Sequence, residues 1–180
     1  MYLSHQTIER YIDEGKIIIK PSFDKKDIRP VGIRIHLGKD ILIPLTGQTV
    51  DLTSSQDIKY REVDITKEEF YMEPGDFVLG ATYELIQTPK NIVAFLGGKS
   101  TIARLGLTTH ITASVIDGVL GEGPVVTVFE IKNEGNFRIR LKFMDPIDMI
   151  VFSELTEPVT LANEIRYGGQ SKVTPPNIKV

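Results

Sequence analysis

Gly97-Gly98-Lys99-Ser100-Thr101 opens a run, continued by Ile102-Ala103-Arg104-Leu105-Gly106-Leu107, in which small residues, a cation and two hydroxyls stand side by side. Such a set suits an anion. Glycines let backbone N–H groups approach phosphate oxygens, Lys99 adds a point charge, and Ser100 and Thr101 add donors. A P-loop is excluded, because that loop needs another glycine five residues before Gly98, where Val93 stands. A second stretch supplies carboxylates: Asp117 follows Val115-Ile116, and Glu130 lies in the apolar run Val125 to Ile131 behind a loop holding Gly121 and Gly123. On a regular strand Val126, Val128 and Glu130 share one face, which sets a carboxylate among apolar neighbours. Taken residue by residue, plainer readings compete: a solvated glycine turn, a turn-forming Asp117, a solvent-facing Glu130 because buried glutamate is rare unless paired, and a packing role for His110.

The elements that must position these groups are mostly strands. Ser4 can cap a short helix whose apolar positions Ile8, Tyr11 and Ile12 fall at helical spacing, with Gly15 at its end, and this is the one good helix in the chain. Beyond it come short β-rich runs: Ile17 to Ile19, Ile33 to Leu37, Ile41 to Ile43, Phe77 to Leu79, Ile92 to Leu96, Val125 to Ile131 and Ile147 to Phe152. Many short strands predict an all-β sandwich or barrel. Glu73-Pro74-Gly75-Asp76 has the order of a type II turn and should launch the strand from Phe77. Thr46 to Lys59 and Tyr167 to Val180 read as a loop and an arm.

At 180 residues, 41% of them hydrophobic, the chain can bury one core, and a single domain over 1–180 is expected. The formal charge of −3 with interspersed signs leaves no broad basic face, so nucleic acid is not an expected partner. With no cysteine and only His5, His36 and His110, Cys-ligated zinc, thiol nucleophiles and disulfides are excluded. No signal pattern and no apolar run of ~18 residues is present, so a soluble cytoplasmic protein without membrane contact is expected.

Gly98 to Leu107 resembles the Gly-Arg-Ser-Ser-Leu-Ala-Arg-Leu-Gly-Leu motif of dCTP deaminases. Thr112-Ala113, Ile116-Asp117, Glu130 with Asn133 and Gly135, Arg166-Tyr167-Gly168-Gly169-Gln170, the opening Leu3-Ser4 and the run Ile17 to Pro21 are similar to further motifs of that family, in order. The resemblance spans most of the chain and points to the dCTP deaminase/dUTPase family, nearer to its dCTP deaminases. It implies a distorted β-barrel or jelly-roll of the dUTPase-like type and a homotrimer with sites shared between subunits. It also implies an arm, about residues 164–180, closing over the nucleotide.

What the resemblance implies for chemistry is zinc-independent hydrolytic deamination of dCTP to dUTP and ammonia. Zinc deaminases carry a His-x-Glu and Cys-x-x-Cys signature that this chain lacks. By position, Glu130 would activate water, with Ser100 and Arg104 placing it and supporting the charge that develops. Lys99, Thr101, Arg166, Tyr167 and Gln170 would hold the triphosphate, and Thr112 and Ala113 would also contact nucleotide. Asp117 would lie by the deoxyribose, or activate the water that attacks phosphorus as in dUTPases. Mg2+ would arrive with the triphosphate, with no protein metal site; dCTP, dUTP or dTTP are the implied ligands. Lys99 replaces the motif's arginine and loses its bidentate fork. Val115 stands where many dCTP deaminases have arginine and where dUTPases and bifunctional members are apolar. The loop from Asp117 to Glu130 is longer than usual, and Gly32-Ile33-Arg34 stands in for the early Ser-x-Asp. The alternatives are a dUTPase, a bifunctional enzyme, or a nucleotide-binding regulator without catalysis.

Overall fold

The computed structural model describes every residue except 54, 121, 122, 161–166, 168, 179 and 180. Helix α1 (His5–Asp13) forms where its apolar spacing predicts; it buries Ile8 and sets Tyr11 and Ile12 against the edge of the core. Ser4 is the N-cap through its carbonyl, which accepts the Ile8 N–H at 2.9 Å. Its hydroxyl makes no capping bond. Gly15, with φ +68, ends the helix as its lack of Cβ allows.

The strands follow in chain order: β1 (Ile18–Lys20), β2 (Ile28–Arg29), β3 (Gly32–His36), β4 (Asp40–Pro44), β5 (Tyr60–Asp64), β6 (Phe70–Met72), β7 (Phe77–Ala81), β8 (Leu85–Gln87) and β9 (Ile92–Leu96). A single helical turn, α2 (Ser100–Ala103), interrupts them before β10 (Leu107–Thr108), β11 (Val115–Ile116), β12 (Val128–Asn133), β13 (Ile139–Leu141) and β14 (Pro146–Glu154). The expectation of one helix is thereby corrected, since the Gly-Lys-Ser stretch contributes a second.

Two five-stranded antiparallel sheets dominate, one in the order β10-β12-β7-β4-β5 and the other β11-β9-β14-β3-β2. Among the described residues neither sheet closes on itself, so the all-β reading holds in its sandwich form rather than as a sealed barrel. The sheets share one core: Ile33, Ile35, Ile92, Ile150 and Phe152 from one meet Ile41, Val78, Phe129 and Ile131 from the other. Each such side chain, fully removed from water, contributes about 1.5–3 kcal/mol before conformational entropy is set against it. The turn before β7 has the expected geometry, with Gly75 at φ +90 and the Asp76 N–H donating to the Glu73 carbonyl at 3.1 Å.

The outer face of the first sheet carries a second, smaller apolar cluster, in which Leu42, Leu79, Ala81 and Val126 are joined by Val173 of the carboxyl-terminal segment. The Val126 N–H donates to the Gln170 carbonyl at 3.0 Å. The segment read as an arm thus has one foot on the protein body, because Val173 is only 5% exposed. Thr46 to Lys59 holds no strand or helix among its described residues. Its neck is tied by the Gln48 amide, which donates to Leu45 and Lys59 carbonyls and accepts the Lys59 N–H.

Candidate active site

Alternation along β12 decides what each residue does. Phe129 and Ile131 enter the shared core, while Val128 and Glu130 turn to the other face. There Glu130 stands opposite Leu79 of β7. Phe77, Leu79, Val126 and Val128 form the apolar wall of a cavity of about 490 Å3, completed by Ala113, Val115 and Asp117 and by Tyr167, Gln170 and Pro175 of the tail. A wall of that kind suits the face of a flat ring, with the carboxylates at its edge.

Glu130 is half-buried, and loss of water raises its pKa above the ordinary glutamate value. The Ile111 N–H, donating to Oε2 at a long 3.4 Å, and the charge of His110 oppose the rise without cancelling it. Asp117 opens a turn of 3-10 helix (Asp117–Leu120) and is exposed.

In the glycine-rich stretch the two glycine amides are engaged within the chain. The Gly97 N–H donates inward to the Met149 carbonyl at 2.7 Å, and the Gly98 N–H faces the carboxylate of Asp148. Farther on, three amides close the turn of α2: Ile102 and Ala103 donate to the Lys99 carbonyl and Arg104 to that of Ser100. Backbone amides of both glycines are therefore engaged by β14. Along α2, Ser100, Thr101 and Arg104 are all exposed.

Within one chain the sequence-derived residues fall into two groups. Glu130, Asp117, Ala113, Tyr167 and Gln170 line the first cavity, whereas Ser100, Thr101 and Arg104 do not. Lys99 lines a second cavity of about 320 Å3, beside Thr109, His110 and Glu134. Thr112 is exposed and lines neither cavity. Arg166 lies outside the described residues. Tyr167 keeps its hydroxyl near the tail, accepting the Asn177 N–H at 3.0 Å. Sequence reasoning missed Tyr60, Phe77, Leu79 and Pro175 as cavity residues. The continuous apolar run Phe77 to Leu79, with a side chain for either face, was the available signal, but a strand alone does not show which face carries a site.

Residues 2–155 match the family described as dCTP deaminase-like. The chain belongs to that family. Among curated relatives of this dCTP deaminase-like chain, a protein of Methanosphaera stadtmanae named "dCTP deaminase, dUMP-forming" is 35% identical over 176 residues, covering 94% of this chain and 85% of that protein. A dCTP deaminase of Buchnera aphidicola is 32% identical, covering 99% and 98%, and one of Psychromonas ingrahamii is 35% identical, covering 88% and 86%. The crystal structure of 2'-deoxycytidine 5'-triphosphate deaminase from Agrobacterium tumefaciens superposes with a TM-score of 0.63 at 17% identity, over 84% of this chain and 47% of that one, so this chain spans about half of its length. That likeness supports the dUTPase-like all-β fold.

Two family-motif glycines of this dCTP deaminase-like chain have a packing role. Gly106, at φ +79, lies so close to Gly135 that a Cβ on Gly106 would meet the Gly135 Cα at 2.4 Å. Asn133, completely buried, accepts the Gly135 N–H at 3.1 Å and donates to the Met72 and Phe137 carbonyls. The motif around Asn133 thus docks the end of β12 against the turn that follows α2.

Proposed function

We propose that the chain hydrolyses dCTP to dUTP and ammonia without a catalytic zinc. The observation that carries this reading is Glu130: a half-buried carboxylate with a raised pKa, set beside an apolar wall in a dCTP deaminase-like chain. Water adds to the ring carbon bearing the amino group as Glu130 takes one of its protons and passes it to the adjacent ring nitrogen. The same carboxyl then takes the proton of the added hydroxyl and gives it to the amino nitrogen, so that the carbon–nitrogen bond breaks, ammonia leaves and the carbonyl forms. Ser100 and Arg104 supply donors for the tetrahedral intermediate. Lys99, Thr101 and the arm, with Arg166, Tyr167 and Gln170, meet the triphosphate, and Thr112 and Ala113 frame the nucleotide. We place the activity in the cytoplasm with its substrate.

Mg2+ fits this donor set as an ion carried by the triphosphate. No cluster of three or more His, Asp or Glu side chains suited to a metal occurs among the described residues. Triphosphate oxygens and water fill most of the ion's coordination shell in such sites, and one carboxylate suffices as a protein ligand. Asp117 is exposed at the cavity and is the residue that would hold it. An ion held there would offset phosphate charge.

A second activity is favoured by one observation: Asp117 and the exposed Val115 line the same cavity as Glu130. In this reading Asp117 activates water towards phosphorus and pyrophosphate leaves dUTP; the relative of Methanosphaera stadtmanae is named a dUMP-forming dCTP deaminase.

Separate assays of ammonia from dCTP and pyrophosphate from dUTP test both readings. Ammonia release should fall as the pH drops through the Glu130 pKa, because the base works only when ionised. Burial raises that pKa, so the acid limb should lie above the ordinary glutamate value of about 4.3. A chain that turns over neither nucleotide is a binding protein instead.

The separation of α2 from the Glu130 cavity supports a homotrimer in which Ser100 and Arg104 of one copy complete the site of another. Light scattering should report about three chains, the symmetric closure such shared sites require. A fully active monomer would overturn the shared site.

A further inference from the structure

Asp148 has no part in the reaction as proposed, yet its side chain is completely buried at 0% exposure. It lies on β14 in step with Ile150 and Phe152, the residues that face the core. A register shift between Pro146 and Asp148 lets Ile147 and Asp148 both turn inward. A carboxylate in such a place is unfavourable unless donors surround it. Here the Thr109 hydroxyl donates to Oδ2, the Met149 N–H donates to Oδ1 at 2.6 Å, and the Gly98 N–H faces the same group.

Two of these donors belong to the segments that carry the proposed site. Gly98 immediately precedes Lys99 and α2, which holds Ser100 and ends at Arg104. Thr109 precedes His110 and Ile111, and the Ile111 N–H is the one that reaches Glu130. A second tie runs to the same strand, from the Gly97 N–H to the Met149 carbonyl. Without Asp148, the Gly98 turn and the Thr109 segment would each meet β14 independently. With it, one rigid acceptor fixes the distance between them.

We infer that Asp148 is a positioning residue: its buried carboxylate clamps the Gly98 turn to the Thr109–Ile111 segment and so sets the Lys99–Arg104 motif and Glu130 in their working geometry. This rests on the deaminase reading above. A clamp of this kind acts on kcat through Ser100, Arg104 and Glu130, each held ready for the site of the trimer that it serves, and on KM through Lys99 and Thr101, which meet the triphosphate.

The test uses the full chain with Thr109→Val, Thr109→Ser and Asp148→Asn. Valine keeps the shape of threonine but removes the hydroxyl; asparagine keeps the shape of aspartate but turns one acceptor into a donor, which repels the Met149 or Gly98 N–H or else reverses the Thr109 bond by making the hydroxyl accept. Thr109→Val and Asp148→Asn should lower kcat for dCTP by about tenfold to a hundredfold, the size of loss that a small misplacement causes, and raise KM to the extent that Lys99 and Thr101 lose the triphosphate. Thr109→Ser, which restores the hydroxyl, should keep kcat near that of the parent chain. Hydrogen exchange should quicken at the amides of Gly98 to Ser100 and of His110 and Ile111 in the two damaged variants and stay unchanged along β3. If Thr109→Val keeps the parental kcat, or if neither segment exchanges faster, Asp148 is not a clamp. Should Asp148→Asn fail to fold, the Thr109 pair decides the matter alone. If the parent chain releases no ammonia from dCTP, the deaminase reading fails by itself, and the exchange measurement still decides whether the clamp exists.

Discussion

Glu130→Gln is expected to release ammonia from dCTP at least about a hundredfold more slowly than the parent chain, because a lost general base removes two to four powers of ten. Glutamine keeps the size and much of the hydrogen bonding of the side chain, so dCTP should bind about as well, and the loss should appear in kcat rather than KM. The raised pKa brings the carboxyl nearer the working pH: once ionised it is a stronger base, and a larger fraction of it can hold the proton that must later be returned. Asp117→Asn separates the two proposed activities. It should spare ammonia release more than Glu130→Gln does, while abolishing any pyrophosphate release from dUTP. Near-normal ammonia release by Glu130→Gln removes that residue from the mechanism. Loss of pyrophosphate release in Glu130→Gln alone, with Asp117→Asn unaffected, removes Asp117 from the second one.

Gly135→Ala should destabilise the fold by about 1–3 kcal/mol, the range in which an atom forced into a packed site falls. The added Cβ would lie 2.1 Å from the Leu105 carbonyl oxygen and 3.3 Å from the Gly106 Cα, both backbone atoms that cannot swing aside. Relief would require the Gly106 turn to open, and that turn is held by the Glu134 N–H donating to the Gly106 carbonyl at 2.8 Å. Urea unfolding should show a lower midpoint with an unchanged slope. A difference within about 0.5 kcal/mol, the range of a neutral surface change, would mean the two glycines do not touch in solution.

The parts of this fold that were legible in the sequence are those where the strand's own residues determine its burial. Val125 to Ile131 shows Glu130 sharing a face with Val126 and Val128 through a period of two, and the structure keeps that arrangement around the cavity. The turn at Glu73–Asp76 was legible because proline and glycine fix its dihedrals locally. β5 was not, since Tyr60-Arg61-Glu62-Val63-Asp64 is an edge strand whose charges face water and whose pairing with β4 is a tertiary matter. The two-residue strands β10 and β11 are likewise set by their partners. Gly97 and Gly98 announce close backbone approach correctly but not to what: their N–H groups are claimed by β14, far along the chain. Asp148 escaped notice because one acid in the run Ile147 to Phe152 reads as a solvent-facing position, and only the register shift turns it inward. Val173 escaped because a single apolar residue in a polar tail has no periodicity to betray its burial.

The alternation along β12 makes correct pairing and activity one and the same event. In the native register Glu130 stands opposite Leu79, with Phe129 opposite Gly80 and Ile131 opposite Val78. A slip of one residue would exchange the faces. Phe129 and Ile131 would be driven into the cavity, and Glu130 would be pressed without a partner into the aliphatic core. That error forfeits the core contacts of two large side chains and buries a bare charge at the same time. Chains that mispair here are thus marked for unfolding by the very residue that gives the well-paired ones their chemistry, so the proteolysis-resistant fraction of a preparation should equal its active fraction.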